Sequence, residues 1–298
     1  MSEHVAIVGA GAVGCYFGGM LGRAGVPVTL IGRPTHVDAI NRDGLLLERS
    51  DFQDRVRIHA ATQIEAVRDA TIILLSVKTI DTETAAAAIA PHLRQGTLLV
   101  SFQNGVDNVE RIQRATGIDA VPAVVYVAVA MSGPGHVKHS GRGDIVVGNV
   151  PRLAAIMKEA GIPCRISGNI AGELWTKLVM NCAYNAISAL TRSRYVFIKN
   201  DDLARDVMKE LIAEVVAVGT AAGVGLPPAE ELTDAALRLG ESMAMATSST
   251  EQDIVRGRPT EIDSLNGYVY RRGKELGVPV PVNGTLYALV KLLERAEK

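Results

Sequence analysis

Cysteine is scarce in this 298-residue chain: only Cys15, Cys164 and Cys182. They are far apart, odd in number and outside any C-x-x-C or Cys/His ligand spacing, which argues against a disulfide framework and a structural metal site. A surplus of either charge is also missing, with 31 Lys plus Arg against 32 Asp plus Glu. A general binder of nucleic acid or acidic membrane needs a basic excess to displace counterions. Aromatic residues make up 4% and leave few rings for base stacking. No apolar run reaches membrane-spanning length without a proline or polar interruption. Met1-Ser2-Glu3-His4 lacks the basic segment and long apolar stretch that open a signal peptide. Together these absences predict a cytoplasmic chain whose partners include neither nucleic acid nor membrane.

What is present points to an α/β protein. Hydrophobic residues at 48% and charged residues at 21% are ordinary for a globular chain, and the length allows two domains. Val5–Val8 reads as a strand, Ala12–Arg23 as a helix and Val28–Ile31 as a second strand. Further apolar runs follow at Ile72–Val77, Thr97–Ser101 and Val121–Ala130. This alternation predicts a mostly parallel, doubly wound sheet. Gly133-Pro134-Gly135 then opens a hairpin through Val137 and Ile145–Val147, giving an antiparallel far edge. From about Asn169 the spacing becomes helical throughout, over Asn169–Leu190, Leu203–Ala222, Pro228–Ala246, Glu261–Leu276 and Asn283–Ala296. The expected architecture is a Rossmann-like domain over residues 1–168 and an all-helical domain over 169–298.

Gly9-Ala10-Gly11-Ala12-Val13-Gly14 is a G-x-G-x-x-G run directly after a strand and at the start of a helix. In a dinucleotide loop the first glycine permits the tight turn and the second admits the pyrophosphate. The third permits close helix–strand packing, and the helix N-terminus supplies oriented N–H donors. Readers of NAD usually end the second strand with an acid for the ribose 2′-hydroxyl. Here that strand ends Leu30-Ile31-Gly32-Arg33-Pro34, with no acid before Asp38. A guanidinium grips a 2′-phosphate that a carboxylate would repel, so Arg33 favours NADP; the other reading of Arg33 is an ordinary surface arginine.

In the second half, Lys177, Asn181 and Asn185 recur every four residues among Leu174, Trp175, Leu178, Val179, Met180, Cys182 and Ile187. On a helix they form a narrow polar stripe in apolar surroundings. Spacing alone does not decide between an active site and a solvated or internally satisfied stripe. Ser249 with Gln252 fits a capping box, and Glu261, just after Pro259, suits a first helical turn. Each of these alone reads best as structural. His136 and His139, three apart in a hairpin strand, fall on opposite faces and do not suit a shared metal. Cys15 and Cys182 lie on expected helices as small buried hydrophobes.

The combination, however, resembles the ketopantoate reductase (2-dehydropantoate 2-reductase) family over essentially the whole chain. The resemblance runs through the Gly9–Gly14 loop, Ser76-Val77-Lys78, Gln103-Asn104-Gly105 and Leu174-Trp175-Thr176-Lys177-Leu178 leading into Asn181 and Asn185. It continues through Ser248-Ser249, Thr260-Glu261-Ile262-Asp263 and Asn266-Gly267. It implies hydride transfer from NADPH to the C2 carbonyl of a small 2-oxo acid, as in pantothenate and coenzyme A synthesis. Lys177 is then the general acid, and Glu261 orients the lysine or the substrate and touches the cofactor. Asn181, Asn185 and Ser249 hold the substrate, and Asn104 lies between nicotinamide and substrate. Lys78 and Ala130 join Gly9, Ala10, Gly11, Ala12, Val13, Gly14 and Arg33 on the cofactor side. No metal is implied, and family precedent allows a homodimer through the helical domain.

Two positions depart from the family pattern: Tyr195-Val196 stands where Asn-Gly is frequent, and Ala246 where Asn is common. Losing two amides is consistent with a different 2-oxo acid. An opine- or imine-forming reductase on the same architecture is a further alternative. A non-catalytic NADP sensor is disfavoured, because a sensor has no need of Lys177, Glu261 and the two asparagines.

Overall fold

The computed structural model describes residues 3–296. The chain divides into two compact units between Ile170 and Ala171, and each is described by itself.

The strands of the first unit are β1 Val5–Val8, β2 Val28–Ile31, β3 Leu45–Glu48, β4 Gln53–Val56, β5 His59–Ala61, β6 Ile72–Leu75, β7 Leu98–Ser101, β8 Val121–Gly133, β9 His136–Val147 and β10 Cys164–Ile166. Its helices are α1 Ala12–Arg23, α2 Pro34–Asp43, α3 Thr82–Ile89, α4 Asn108–Thr116 and α5 Pro151–Glu159. The sheet order is β4-β3-β9-β8-β7-β6-β1-β2-β5, with β10 added against β9. From β5 to β8 the pairings are all parallel. Strands β1, β2 and β6 are buried along their whole length, as interior strands covered on both faces must be. Alternation along β1 separates the two cores: Val5 and Ile7 face the cluster holding Tyr16, Phe17 and Leu21 of α1. Ala6 and Val8 face the cluster holding Ala86 and Ile89 of α3 and Ile112 of α4. Each fully buried Leu or Ile contributes about 1.5–3 kcal/mol. Reading outward from β1, the chain goes to β2 and β5 on one side and to β6, β7 and β8 on the other. This reversal creates a switch point between β1 and β6, beyond whose C-terminal ends ligands of such sheets bind.

The far edge is antiparallel as expected, but the hairpin does not form it. Strands β8 and β9 do form an antiparallel hairpin, but β9 is not an edge. β3 lies parallel beside it and β4 closes the sheet antiparallel to β3. The run Leu45–Ala61 carries three strands of three or four residues each, the middle one largely polar. The histidines of β9 have separate neighbours: His136 Nε2 lies 2.8 Å from Glu48 Oε2, and the His139 ring stacks on Tyr16 at 4.7 Å.

The second unit holds α6 Ile170–Thr191, whose first residue precedes the division, then α7 Tyr195–Asn200, α8 Asp202–Ala221, α9 Ala229–Ser242, α10 Ser249–Val255, α11 Asn266–Leu276 and α12 Pro281–Ala296. No strand occurs in it among the described residues. Between Cys182 and Ala189 every residue of α6 is buried, so this segment is a core helix rather than a surface one. Bulky side chains join it to its neighbours. Trp175 meets Tyr268 of α11 edge-on, and the Tyr184 hydroxyl donates to the Ala236 carbonyl of α9 at 2.8 Å. Two expected helices are shorter than their patterns. The one opening at Pro228 ends at Ser242, and a 3-10 turn at Ile262–Ser264 precedes α11. Leu265, with φ −110° and ψ −110°, separates that turn from α11. Glu261 therefore stands ahead of the helix rather than in its first turn. No helix among the described residues is long and apolar enough to cross a membrane.

Candidate active site

The glycine loop of the first unit is built by close approach of backbone. Gly9 has φ +112°, and a Cβ there would lie 2.7 Å from the Ser76 carbonyl carbon. Gly14 is tighter still: its Cβ would come within 2.2 Å of the Gly9 carbonyl oxygen and 2.7 Å of Ser76 Oγ. Both glycines are thus demanded by packing against the end of β6. Gly11 differs, since a Cβ on it would meet nothing within 4 Å. It is the exposed N-cap of α1, with no side-chain cap and no acid in the first turn. The amides of Gly9 and Ala10 both donate to Ile31 at 2.9 Å, tying the loop to the end of β2. Ala12 and Val13 begin α1 and are half-buried. This leaves an open, uncapped helix N-terminus suited to an anion. The residues present therefore fit a dinucleotide pyrophosphate.

Arg33 lies just past β2, exposed, as the N-cap residue of α2. Lys78 follows β6 and caps a 3-10 turn over Thr79–Asp81. Asn104 follows β7, and a polar network fixes its backbone. Its carbonyl accepts from Thr79 Oγ1 at 2.9 Å and from Asn108 Nδ2 at 2.7 Å. Buried Gln103 donates to Thr82 Oγ1 at 2.7 Å and to the Val77 carbonyl at 3.2 Å. The segments after β6 and β7 are thereby locked together, and both lie at the strand ends that carry the glycine loop. Ala130 lies farther along, on β8 beyond its pairing with β7, opposite Lys138 of β9. Its place rests on strand register alone.

In the second unit Lys177, Asn181 and Asn185 do share α6. Lys177 and Asn181 are half-buried, and Asn185 is 4% exposed. Two loops are fastened to the Asn185 turn. Ser248 donates through its hydroxyl to the Asn185 carbonyl at 3.2 Å, and its amide donates to Ser188 Oγ at 3.1 Å. Ile262, fully buried, packs with Ala186 of α6 and Val290 of α12. The first leads into Ser249 at the start of α10 and the second carries Glu261, so two separate stretches of sequence converge on one helix.

The N-cap of α10 is Ser248, whose Oγ accepts from the Glu251 amide at 3.0 Å. That corrects the capping reading of Ser249, which is exposed within the first turn. Ser248-x-x-Glu251 is an equally good box, offset from the other by one residue. Asp263 and Asn266, within the quoted motifs, are structural. Asp263 pairs with Lys291 at 2.8 Å. Asn266 donates to Asn283 at 2.9 Å, both fully buried. Burial tends to raise the Asp263 carboxyl's pKa, but Lys291 and Tyr287 outweigh it and hold it below the usual range. Burial pushes the Cys15 thiol up to about 12 and Cys182 higher still, which suits inert core residues. Sequence reasoning missed the supporting residues Thr79, Thr82, Asn108, Ser188 and Glu294, each with a partner 25 to 60 residues away that leaves no local signal.

Comparison with known proteins decides what these halves belong to. Residues 5–152 match the model of ketopantoate reductase PanE/ApbA, and residues 169–294 match that of its C-terminal domain. The chain belongs to the ketopantoate reductase family. A 2-dehydropantoate 2-reductase of Pyrococcus abyssi is 31% identical, with 98% of each chain covered. Another, from Pyrobaculum aerophilum, is 33% identical over 97% of each. Among solved structures, a PanE/ApbA family ketopantoate reductase of Ralstonia eutropha JMP134 superposes with a TM-score of 0.95 at 46% identity, over 99% of each chain. A D-mandelate dehydrogenase complex with NADH and anilino(oxo)acetate shares the fold with a TM-score of 0.93 at 24% identity, again over 99% of each. The family is one of oxidoreductases.

Proposed function

We propose that this ketopantoate reductase family member reduces ketopantoate to pantoate with NADPH, as in pantothenate and coenzyme A synthesis. The observation that carries the reading is the convergence on α6. Lys177, Asn181 and Asn185 lie along one helix, and Ser248 and Ile262 bring the Ser249 and Glu261 loops to it. Such a set suits a carbonyl that becomes an alkoxide. NADPH, when bound, supplies a hydride to C2 of the substrate. Lys177 Nζ gives the proton to the oxygen that gains charge and stabilises that charge beforehand. Asn181, Asn185 and Ser249 orient the carboxylate and hydroxyl by neutral hydrogen bonds. Glu261 orients the lysine or the substrate hydroxyl.

On the cofactor side, roles follow from position. The open N-terminus of α1 takes the pyrophosphate, with Gly11 leaving room for it. Arg33, beyond β2 and with no acid beside it until Asp38, takes the 2′-phosphate. Lys78 and Asn104 hold the cofactor at the strand ends, and Ala130 lies against the nicotinamide. Residues 1–168 form the cofactor domain and 169–298 the substrate domain. Its partner is a small 2-oxo acid, its location the cytoplasm, and family precedent supports a homodimer.

A second reading is a different 2-oxo acid on the same machinery. The Tyr195 amide donates to the Ala246 carbonyl at 3.0 Å, so the two departures from the family pattern adjoin. The buried Tyr195 ring stacks on Tyr184 at 4.2 Å, one residue from Asn185. Losing two hydrogen-bonding amides favours a 2-oxo acid other than ketopantoate. Following NADPH oxidation with ketopantoate beside branched and aromatic 2-oxo acids separates the readings. Fast turnover of ketopantoate alone supports the first. Poor ketopantoate turnover with a good aromatic substrate replaces it with the second. Tight NADPH binding with no turnover of any 2-oxo acid overturns both.

A further inference from the structure

We infer that Thr260, Lys291 and Glu294 are positioning residues: one face of α12 clamps the chain on both sides of Glu261. This rests on the reading of Glu261 as an active-site residue. Tyr287, Lys291 and Glu294 are spaced i, i+4 and i+7, so they project from the same side of α12. Glu294 Oε1 accepts both the Thr260 amide at 2.8 Å and the Thr260 hydroxyl at 2.6 Å. Thr260 is the residue immediately before Glu261, and it is 7% exposed. Two residues after Glu261, Asp263 receives Lys291 Nζ at 2.8 Å on one oxygen and the Tyr287 hydroxyl at 2.5 Å on the other. Lys291 Nζ also lies 2.8 Å from Glu294 Oε2 and so joins the two clamps into one unit.

Between the clamps the backbone has little freedom. Thr260 Oγ1 accepts from the Ile262 amide at 3.2 Å, and the Ser264 amide donates to the Glu261 carbonyl at 2.9 Å. Ile262 is fully buried. The Glu261 side chain thus leaves a segment whose neighbours on both sides are fixed to a single helix. A network of partly desolvated charges is a poor source of stability, because ion desolvation offsets most of the attraction. What it does supply is direction: charge-assisted hydrogen bonds hold a loop to a narrow geometry. Misplacing a catalytic group by about an ångström costs up to roughly 100-fold in rate.

The test is kinetic. Lys291→Met and Glu294→Gln are measured with NADPH and the best 2-oxo acid, well below their melting temperatures, alone and combined with Glu261→Ala. The expected result is a fall in kcat of about 10- to 100-fold, with a KM for NADPH no higher than that of Glu261→Ala. In the Glu261→Ala background neither substitution should lower kcat further, and Lys291→Arg should restore most of the rate. Wild-type kcat in Lys291→Met, beside a severe loss in Glu261→Ala, overturns the clamp and leaves the role of Glu261 standing. Equal losses with and without Glu261 also overturn it, because the clamp then acts elsewhere. Wild-type kcat in Glu261→Ala removes both the clamp and the reading of Glu261.

Discussion

The glycine loop of the first unit and the lysine helix of the second are made from different parts of the polypeptide. In the loop nearly everything is backbone: six consecutive residues, two of them glycines pressed against Ser76, and a helix end left uncapped. On α6 the polar groups are side chains, and those expected to work with them arrive on loops about 60 to 80 residues later. A backbone device needs particular residues at consecutive positions, so it is compact in sequence. A side-chain device needs a scaffold to gather it, so its sequence signal is scattered. The first kind fails by losing shape, and the second by losing single groups.

Under the proposed roles, the largest expected effect falls on the side-chain device. Lys177→Ala should cut turnover about a hundred- to ten-thousand-fold and leave NADPH affinity within about twofold of wild type, as judged by fluorescence titration. Parallel loss of both quantities would erase the division between the units. The backbone device is probed by a pair. Gly14→Ala should destabilise the chain by about 1–3 kcal/mol through overpacking and weaken NADPH binding. Gly11→Ala, with open space for its Cβ, should melt like wild type and weaken only the cofactor. Thermal melts and titrations on the two variants check this.

Arg33→Ala should weaken NADPH by roughly 10- to 100-fold, the worth of a charge-assisted hydrogen bond, with little change for NADH. An equal effect on both would remove Arg33 from the 2′-phosphate. Smaller again, Ser248→Ala removes the cap of α10 and should cost about 1 kcal/mol. Ser249→Ala should cost almost no stability but raise the KM for the oxo acid. The smallest effect is electrostatic. Asp263 and Glu294 are held below the usual carboxylate range: burial raises both, and hydrogen bonds from Lys291 with Tyr287 or Thr260 more than compensate. Their contribution is therefore present above the unfolded carboxylate pKa, near 4, and lost as pH falls through the lowered folded values. Lys291→Met should flatten the acid limb of stability against pH, read by denaturant melts between about pH 5 and 2.

The same contrast explains what was legible in the sequence. The boundaries of β1, α1 and β2 follow directly from apolar runs broken by Gly9–Gly11 and Gly25, and the polar spacing on α6 marked a helix correctly. Strands β4 and β5 were not legible, because β4 is largely polar and exposed and β5 has only three residues. The Ser249 box read from the sequence has an overlapping rival at Ser248, since each serine is followed three residues later by an acid or amide. Only the tertiary bond from Ser248 to Asn185 selects one. Pro259 suggests a helix start at Glu261, because proline often opens one. The bonds of Thr260 to Glu294, 34 residues away, instead hold it in the loop before α11.

The central claim is hydride transfer to C2 of a 2-oxo acid on the lysine helix. NADPH carrying deuterium at the transferred position on nicotinamide C4, incubated with the best oxo acid, tests it most directly. The product should be a 2-hydroxy acid with deuterium at C2, formed at least about a hundredfold more slowly by Lys177→Ala, the low end of the loss of a general acid. NADPH oxidised with no deuterium at C2, or label transferred equally fast without Lys177, would contradict it.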